Sequence, residues 1–385
     1  MKVNLISLGC PKNLVDSEVI LGKLGEAGYA FTSSPEDADI VIINTCSFID
    51  KARSESHQVI SRIVSQKSSL QKLIVCGCLP QLKRQELFLK YPQIDALLGS
   101  ADFYRIDKVI NQLLKGRKHL CTVNEPRFLY DSSFPRFLST PPSYAYLKIA
   151  EGCSNYCSYC LIPRLRGKYR SRTPEDVIKE ARALVDMGVK ELILIAQDTT
   201  FYGWDLGKKS ALLYLLEKLE KIDKLEWIRL LYTHPSHFTS SLIRIIANSE
   251  KICPYIDLPL QHTHNEVLAR MKRPEFQIAE RLIAQLRENI PHLTLRTTFM
   301  VGFPGEEERH FNKLLQDMEK LRFEWLGVFT YSPEEETPAY SLTPEVPLRV
   351  REKRYQELMQ LQQSITFDFN QKKLGRVYPI LVDKE

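Results

Sequence analysis

Two long series of alternating strand-like and helix-like segments constrain the fold of this chain more than any other feature. Short β-branched and leucine runs alternate with amphipathic stretches over roughly the first 105 residues and again from Tyr144 to about Tyr331. Parallel strands need crossover connections, usually helices, so the alternation predicts parallel α/β sheets. The expected strands are Leu5–Leu8, Ile40–Ile43 and Leu73–Val75, then Tyr146–Ile149, Glu191–Ala196, Trp227–Leu231, Tyr255–Leu258, Leu295–Val301 and Leu326–Thr330.

The length of 385 residues predicts two or three domains. We expect an N-terminal open parallel α/β sheet domain over 1–120 and a proline- and serine-rich linker over 121–143. A full or partial β/α barrel is expected over 144–345, with a doubly wound open sheet as the alternative. A C-terminal helix over 346–375 and a strand-like run over 376–385 complete the predicted order.

Composition excludes several classes of protein. The chain is 44% hydrophobic and 26% charged, so it can bury real cores and is not a disordered chain. No apolar run reaches the length of a membrane span, and the N-terminus shows no signal peptide, so we expect a cytoplasmic protein without a membrane partner. The formal charge of +6 permits an acidic partner without demanding one.

Nine cysteines, an odd number in a chain without a signal peptide, argue against a disulfide framework. The strongest signal is Cys153, Cys157 and Cys160, spaced Cys-x3-Cys-x2-Cys directly after a predicted strand. Three thiolates on one loop can bind three irons of a 4Fe-4S cluster and leave the fourth iron open. Structural zinc would need a fourth ligand, and no histidine or cysteine follows nearby to supply it.

A second group, Cys10, Cys46 and Cys78, is spread along the first domain. Each cysteine follows a predicted strand and precedes a helix. Since the carboxyl ends of parallel strands share one edge of a sheet, these thiols could meet there and bind a second cluster. Small core cysteines that fill strand ends are the alternative. Cys76 is interpreted as core packing, and Cys121 and Cys253 as structural.

The cysteine loop, with the aromatic Tyr159 before its last cysteine, resembles the radical S-adenosylmethionine (SAM) superfamily. With the three-cysteine N-terminal domain, the whole chain is similar to the methylthiotransferases. The resemblance implies two 4Fe-4S clusters, held by Cys10/Cys46/Cys78 and by Cys153/Cys157/Cys160. It also implies that one SAM yields a hydrogen-abstracting radical, that the second cluster carries sulfur and that a second SAM supplies the methyl group. A reductant such as flavodoxin or ferredoxin would provide the electron.

The first cysteine loop, Gly9-Cys10-Pro11-Lys12-Asn13, resembles the RimO branch of this family. That branch modifies the β-carbon of an aspartate in ribosomal protein S twelve of the small ribosomal subunit. The tRNA branch typically has Gly-Cys-Gln-Met-Asn there and an arginine where Ile49 stands. A tRNA (isopentenyl-adenosine) methylthiotransferase remains the alternative, and a non-catalytic iron–sulfur or zinc RNA-binding module a distant one. Residues 376–385 look like the first strand of a TRAM β-barrel whose remainder is absent, through which RNA contact would occur.

Polar and glycine residues follow the predicted barrel strands, whose carboxyl ends carry the active site in such folds. The expected SAM contacts are Gln197, Gln261, Gly302 and Gly305. Asp198 and His262 lie beside them in sequence, and a capping or connecting role is the alternative for this group. Five cations occupy the stretch Leu161–Arg172 without an acid: Arg164, Arg166, Lys168, Arg170 and Arg172.

These cations are expected to hold the SAM carboxylate, balance the charge of a cluster or contact ribosomal RNA. The histidines at 234, 237, 264 and 292 are expected to be structural or on the surface. No catalytic residue beyond the cluster ligands is predicted.

Overall fold

A computed structural model describes residues 1–383 and divides them into two compact units. Unit 1 comprises residues 1–141, 146–154 and 161–180, and unit 2 comprises residues 142–145, 155–160 and those from Ala181 onward. Residues 123–141, most of the predicted linker, belong to unit 1. Tyr130 is 2% exposed, and Arg136 pairs with Glu18 and Glu180.

The sheet of unit 1 has six parallel strands in the order β2-β1-β3-β4-β5-β6. The strands are β1 (Lys2–Ser7), β2 (Ala30–Phe31), β3 (Ile40–Thr45), β4 (Lys72–Gly77), β5 (Ala96–Gly99) and β6 (Leu120–Thr122). The last strand takes up the start of the predicted linker. The chain reverses its direction of winding between β1 and β3, and in open α/β sheets ligands bind beyond the carboxyl ends of the strands at such a point.

Helices cover this sheet as the alternation predicts. They are α1 (Pro11–Glu26), α2 (Asp50–Gln66), α3 (Cys78–Lys90) and α4 (Ile106–Leu114). Two helices come later in the chain, α5 (Ile162–Arg166) and α6 (Pro174–Asp186), and α6 continues into unit 2. Pro11 starts α1 at the position where a missing N–H costs no hydrogen bond. Val41 and Ile43 of β3 and Leu73 and Val75 of β4 belong to one buried core with residues of α2 that include Ile60 and Ile63.

A second six-stranded sheet has the order β14-β13-β12-β11-β10-β7. Its strands are β7 (Tyr144–Lys148), β10 (Glu191–Ile195), β11 (Trp227–Leu230), β12 (Ile252–Asp257), β13 (Thr294–Val301) and β14 (Trp325–Thr330). Two short strands between β7 and β10, β8 (Ala150–Glu151) and β9 (Arg170–Ser171), pair antiparallel. All six predicted strands are present, and each follows its predecessor without the reversal of a doubly wound sheet. Across residues 1–383 this is a partial barrel.

The remaining helices lie in unit 2. They are α7 (Ala211–Glu220), α8 (Ser240–Asn248), α9 (Asn265–Arg270), α10 (Phe276–Asn289), α11 (Glu308–Leu321) and α12 (Leu348–Gln371), the last being the expected C-terminal helix. No strand is assigned over 376–383, and residues 384 and 385 lie outside the described residues, so the TRAM strand stays a prediction. No helix within residues 1–383 has both the length and the apolar character of a membrane span.

Candidate metal centres

The loops after β1, β3 and β4 place the three cysteines of unit 1. Cys10 is the N-cap residue of α1, Cys46 directly follows β3, and Cys78 is the first residue of α3. All three therefore lie beyond carboxyl ends of adjacent parallel strands, two of them at the point where the winding reverses. This is the convergence that the sequence predicts.

Gly9 lets the loops of Cys10 and Cys46 approach each other. A Cβ atom at Gly9 would lie 2.5 Å from the Cys46 Cβ and 2.9 Å from its Sγ. Gly9 has φ +91°, a conformation that residues with a side chain rarely adopt. The glycine before Cys78, Gly77, has φ +96°, and a Cβ atom there would overlap Asn44 Oδ1 and lie 2.7 Å from the Thr45 carbonyl oxygen. Only the small residue permits either approach.

The electrostatics of the three thiols also indicate a shared site. Burial raises the pKa of Cys46, and the neighbouring Cys10 thiol raises it further. Burial raises the pKa of Cys78 to about 12, with Arg166 opposing and Cys46 and Cys10 adding to the effect. Three soft sulfur donors in one largely buried place suit the irons of a 4Fe-4S cluster, which thiolates hold. The residues thus fit the implied group.

Cys76 has different surroundings from Cys78, two residues away. It is fully buried inside β4, and burial together with the Asp16 carboxylate raises its pKa. Its carbonyl oxygen accepts a hydrogen bond of 2.7 Å from the Thr45 hydroxyl. These contacts favour the predicted packing role.

A buried ionic cluster adjoins the three cysteines, and the sequence alone does not predict it. Arg166 donates to the Cys78 sulfur, to Asp16 at 2.5 Å and to Glu151 at 3.3 Å. Lys148 also pairs with Asp16 and, at 2.7 Å, with Glu151. Since 150 residues separate Arg166 from Asp16, no local pattern could reveal the pair. The run of cations was the one available signal.

The second cysteine loop has parts in both units. Cys153 belongs to unit 1, where its N–H donates to the Gly167 carbonyl at 3.1 Å. A side chain at Gly152 would overlap the Lys168 carbonyl, so the glycine allows close packing here.

Cys157 and Cys160 belong to unit 2. There Arg273 donates to Cys157, and Ser158 binds the Arg270 carbonyl at 2.7 Å. Burial, followed by the Cys157 thiol, raises the pKa of Tyr159.

Asp198, beyond the end of β10, accepts hydrogen bonds from several residues of unit 2. Asn155 donates at 2.9 Å, Thr200 at 2.8 Å, and His237 Nδ1 lies 2.8 Å away. Burial raises the pKa of Asp198, but hydrogen bonds from His237 and Asn155 and the nearby histidines lower it on balance. Potential ligand atoms of Asp198, His234 and His237 lie within 4.8 Å of one another. Both carboxylate oxygens accept hydrogen bonds, so these residues form a hydrogen-bonded network. The structural role of the histidines stays a prediction.

The other predicted SAM contacts lie beyond the ends of their strands. Gln197 follows β10, and Gln261, with φ +75°, bonds to the backbone of β13 at Thr298 and Met300. Side chains at Gly302 and Gly305 would overlap Arg351 and Arg270, respectively. Arginine side chains of this chain therefore lie close to the backbone at both glycines. The glycine pattern suggested a cofactor in that place, and whether either glycine also contacts SAM stays a prediction.

Glu306 stabilises the turn after β13, which contains Gly302. Its carboxylate accepts from the Gly302 N–H at 2.8 Å and from Arg354 at 2.8 Å. Burial raises the pKa of Glu306 to about 7, with Arg354 opposing. His262, fully buried, has its Nε2 3.9 Å from the same carboxylate.

Comparison with known proteins agrees with these features. Residues 2–99 match the uncharacterized protein family UPF0004, and residues 147–318 match the radical SAM superfamily. The ribosomal protein uS12 methylthiotransferase RimO of Thermoanaerobacter sp. (strain X514) is 50% identical over 383 residues, 99% of this chain and 87% of that protein. The protein of the same name from Heliobacterium modesticaldum (strain ATCC 51547 / Ice1) is 47% identical over 388 residues, 100% of this chain and 84% of that protein.

The chain belongs to the RimO family. Membership confirms the predicted enzyme class, a radical-SAM methylthiotransferase, and the predicted cofactors, 4Fe-4S clusters and SAM.

Solved structures confirm the fold class. The radical SAM methyltransferase TsrM from Kitasatospora setae, with cobalamin and a [4Fe-4S] cluster bound, superposes with a TM-score of 0.65 and 15% identity, covering 88% of this chain and 77% of that one. The radical enzyme OxsB gives a TM-score of 0.59 and 12% identity, covering 94% and 56% of the two chains. In this chain a parallel-sheet unit with the UPF0004 match thus precedes the radical SAM region.

Proposed function

We propose that this enzyme adds a methylthio group to the β-carbon of an aspartate in ribosomal protein uS12. The observation that carries the proposal is the convergence of Cys10, Cys46 and Cys78 in unit 1. SAM cleavage requires one cluster with an open iron, and this chain has a second cysteine triad that could hold a sulfur-carrying cluster. The relatives named above are uS12 methylthiotransferases by name, and the Cys10 loop resembles the RimO branch.

Six cysteines would hold the cofactors. We assign Cys153, Cys157 and Cys160 to the cluster that binds SAM, and Cys10, Cys46 and Cys78 to the auxiliary cluster. When bound, these groups supply a 5′-deoxyadenosyl radical, a sulfur atom and a methyl group. The electron donor in the cell would be a flavodoxin or a ferredoxin.

The protein's own residues orient these groups. Arg273 holds Cys157 by a hydrogen bond, and Asp198 holds Asn155 of the same loop. Gln197 and Gln261 follow strand ends of the partial barrel, where we propose that they contact SAM. Gly302 and Gly305 shape the turn after β13, and we propose that their backbone lies near the same ligand.

The substrate is tested with two acceptors. Anaerobically reconstituted enzyme, SAM and a chemical reductant are incubated with a peptide of the uS12 loop or with isopentenylated tRNA. Mass spectrometry of the peptide should show one methylthio adduct, and a peptide with asparagine at the target aspartate should show none. Modification of the tRNA alone would overturn the substrate assignment and leave both cysteine assignments standing.

The cluster assignments are tested by substitution. Alanine at Cys153, Cys157 and Cys160 together should roughly halve bound iron and sulfide and abolish 5′-deoxyadenosine formation. Alanine at the other triad should also halve the iron but preserve SAM cleavage. If the first triple variant still cleaved SAM, the assignment of the radical-generating cluster would be wrong.

A further inference from the structure

Arg166 is placed to act on the auxiliary site. Its side chain is 3% exposed, so its charge is hardly screened by water. Besides Cys78, Asp16 and Glu151, its guanidinium donates to the Asn13 side chain, three residues after Cys10. One side chain therefore holds the segment after Cys10, the Cys78 thiol and Glu151, which lies two residues before Cys153.

The other cations of the same run have different partners. Arg172 pairs with Asp176 at 2.7 Å and with Glu180. Arg170 donates to the backbone carbonyls of Lys168, at 2.6 Å, and of Arg166. Arg166, by contrast, donates to the Cys78 sulfur and to the Asn13 side chain, close to two of the three cysteines. Among the alternatives that the sequence left open for this run, the contacts of Arg166 favour charge balance at a cluster.

The charges around Arg166 are closely matched. Arg166 and Lys148 are the cations, and Asp16 and Glu151 are the anions that pair with both. This group is neutral by itself, so removing Arg166 leaves one uncompensated negative charge in a buried place. A negative charge beside a cluster disfavours addition of an electron, and a positive charge favours it.

We propose that Arg166 is a positioning residue which fixes Cys78 and, balanced by Asp16, raises the reduction potential of the cluster at Cys10, Cys46 and Cys78. The inference rests on the proposed function, because it needs a cluster at those cysteines. The step concerned is the uptake of one electron by the oxidised cluster from a chemical reductant such as dithionite. No bond of the protein breaks in this step.

The test uses the full chain with alanine at Cys153, Cys157 and Cys160, so that a single cluster remains. Its reduced fraction is followed by electron paramagnetic resonance during an anaerobic redox titration. Arg166→Gln should lower the ratio of reduced to oxidised cluster at least tenfold at a fixed solution potential, which corresponds to about 59 mV for one electron. Arg166→Lys, which keeps the charge, should stay within about threefold of the parent.

Arg136→Gln is the matched control, because Arg136 is a buried, ion-paired arginine of unit 1 whose partners are Glu18 and Glu180. Its potential should equal that of the parent. If Arg166→Gln fails to assemble a cluster, Asp16→Asn is measured instead. Removing the negative charge of Asp16 should raise the reduction potential of the cluster.

If the reduction potential is unchanged in Arg166→Gln, the inference is wrong and the proposed function still stands. The same conclusion follows from an unchanged potential in Asp16→Asn where that variant replaces Arg166→Gln in the test. A shift in Arg166→Lys as large as that in Arg166→Gln would also overturn it. A parent protein that binds no iron would overturn the assignment of the auxiliary cluster, and the inference with it.

Discussion

Replacing Gly9 by alanine should damage the auxiliary site. The new Cβ would lie 2.5 Å from the Cys46 Cβ and 2.9 Å from its Sγ, so the Cys46 loop would have to move. A left-handed conformation costs a non-glycine residue about 1–2 kcal/mol. Overpacking a tightly packed place costs about 1–3 kcal/mol more. Together these effects predict a loss of about 2–5 kcal/mol of unfolding free energy, with displacement of a proposed ligand.

Gly28→Ala provides the matched control. Gly28 has φ +80°, and nothing lies within 4 Å of the position that a Cβ atom would take there, so alanine incurs the conformational cost alone. Both variants are compared by urea denaturation of the reduced apo protein and by iron content in the chain that lacks Cys153, Cys157 and Cys160. Gly9→Ala should show the larger loss of stability and should lose its iron, whereas Gly28→Ala should keep it. Equal stability losses with full iron in both variants would refute the close approach on which the reasoning rests.

Three further predictions concern single side chains. Cys78→Ala should lose the auxiliary cluster while Cys76→Ala retains it, as measured by iron and sulfide content, and the opposite result would exchange the two assignments. Burial lowers the pKa of His262 to about 3, so below pH 6.5 the unfolded chain binds a proton that the folded chain does not. Stability should therefore fall as pH falls from about 6.5 towards 3, by up to about 1.4 kcal/mol per pH unit from this group, and His262→Gln should reduce the slope in urea titrations. Glu18→Gln, which weakens the buried pair with Arg136, should cost about 3 kcal/mol of unfolding free energy, and a loss below about 1 kcal/mol would contradict its burial.

The strands were predictable because their signal is local. A run such as Ile40–Ile43 is apolar throughout, as a strand covered on both faces must be, and it forms the first four residues of β3. Helix α1 was recognisable from the spacing of Val15, Val19 and Ile20, all fully buried. The cysteine triads followed from the same logic, since a residue just after a parallel strand must lie at the carboxyl edge of its sheet.

The partners of the buried charges were not predictable, because they are distant in sequence. Arg136 was expected in a linker, yet its side chain is 4% exposed and pairs with Glu18, 118 residues earlier. A proline-rich stretch signals the lack of regular structure but not whether its polar residues find buried partners. Gly302 illustrates the same limit, since the side chain that approaches it, Arg351, comes from α12.

The residues before the three cysteines of unit 1 explain how the strands deliver their thiols to one place. Gly9 and Gly77 adopt positive φ, so the chain turns sharply at each strand end, where Cys10 is the N-cap residue of α1 and Cys78 starts α3. At Cys46 the preceding residue is Thr45, whose hydroxyl donates to the Cys76 carbonyl and accepts from the Leu79 N–H at 3.3 Å. That pair of bonds ties the end of β3 to both sides of Cys78. Cys46 therefore lies beside the Cys78 loop without a glycine before it, because Thr45 fixes the end of β3 to that loop.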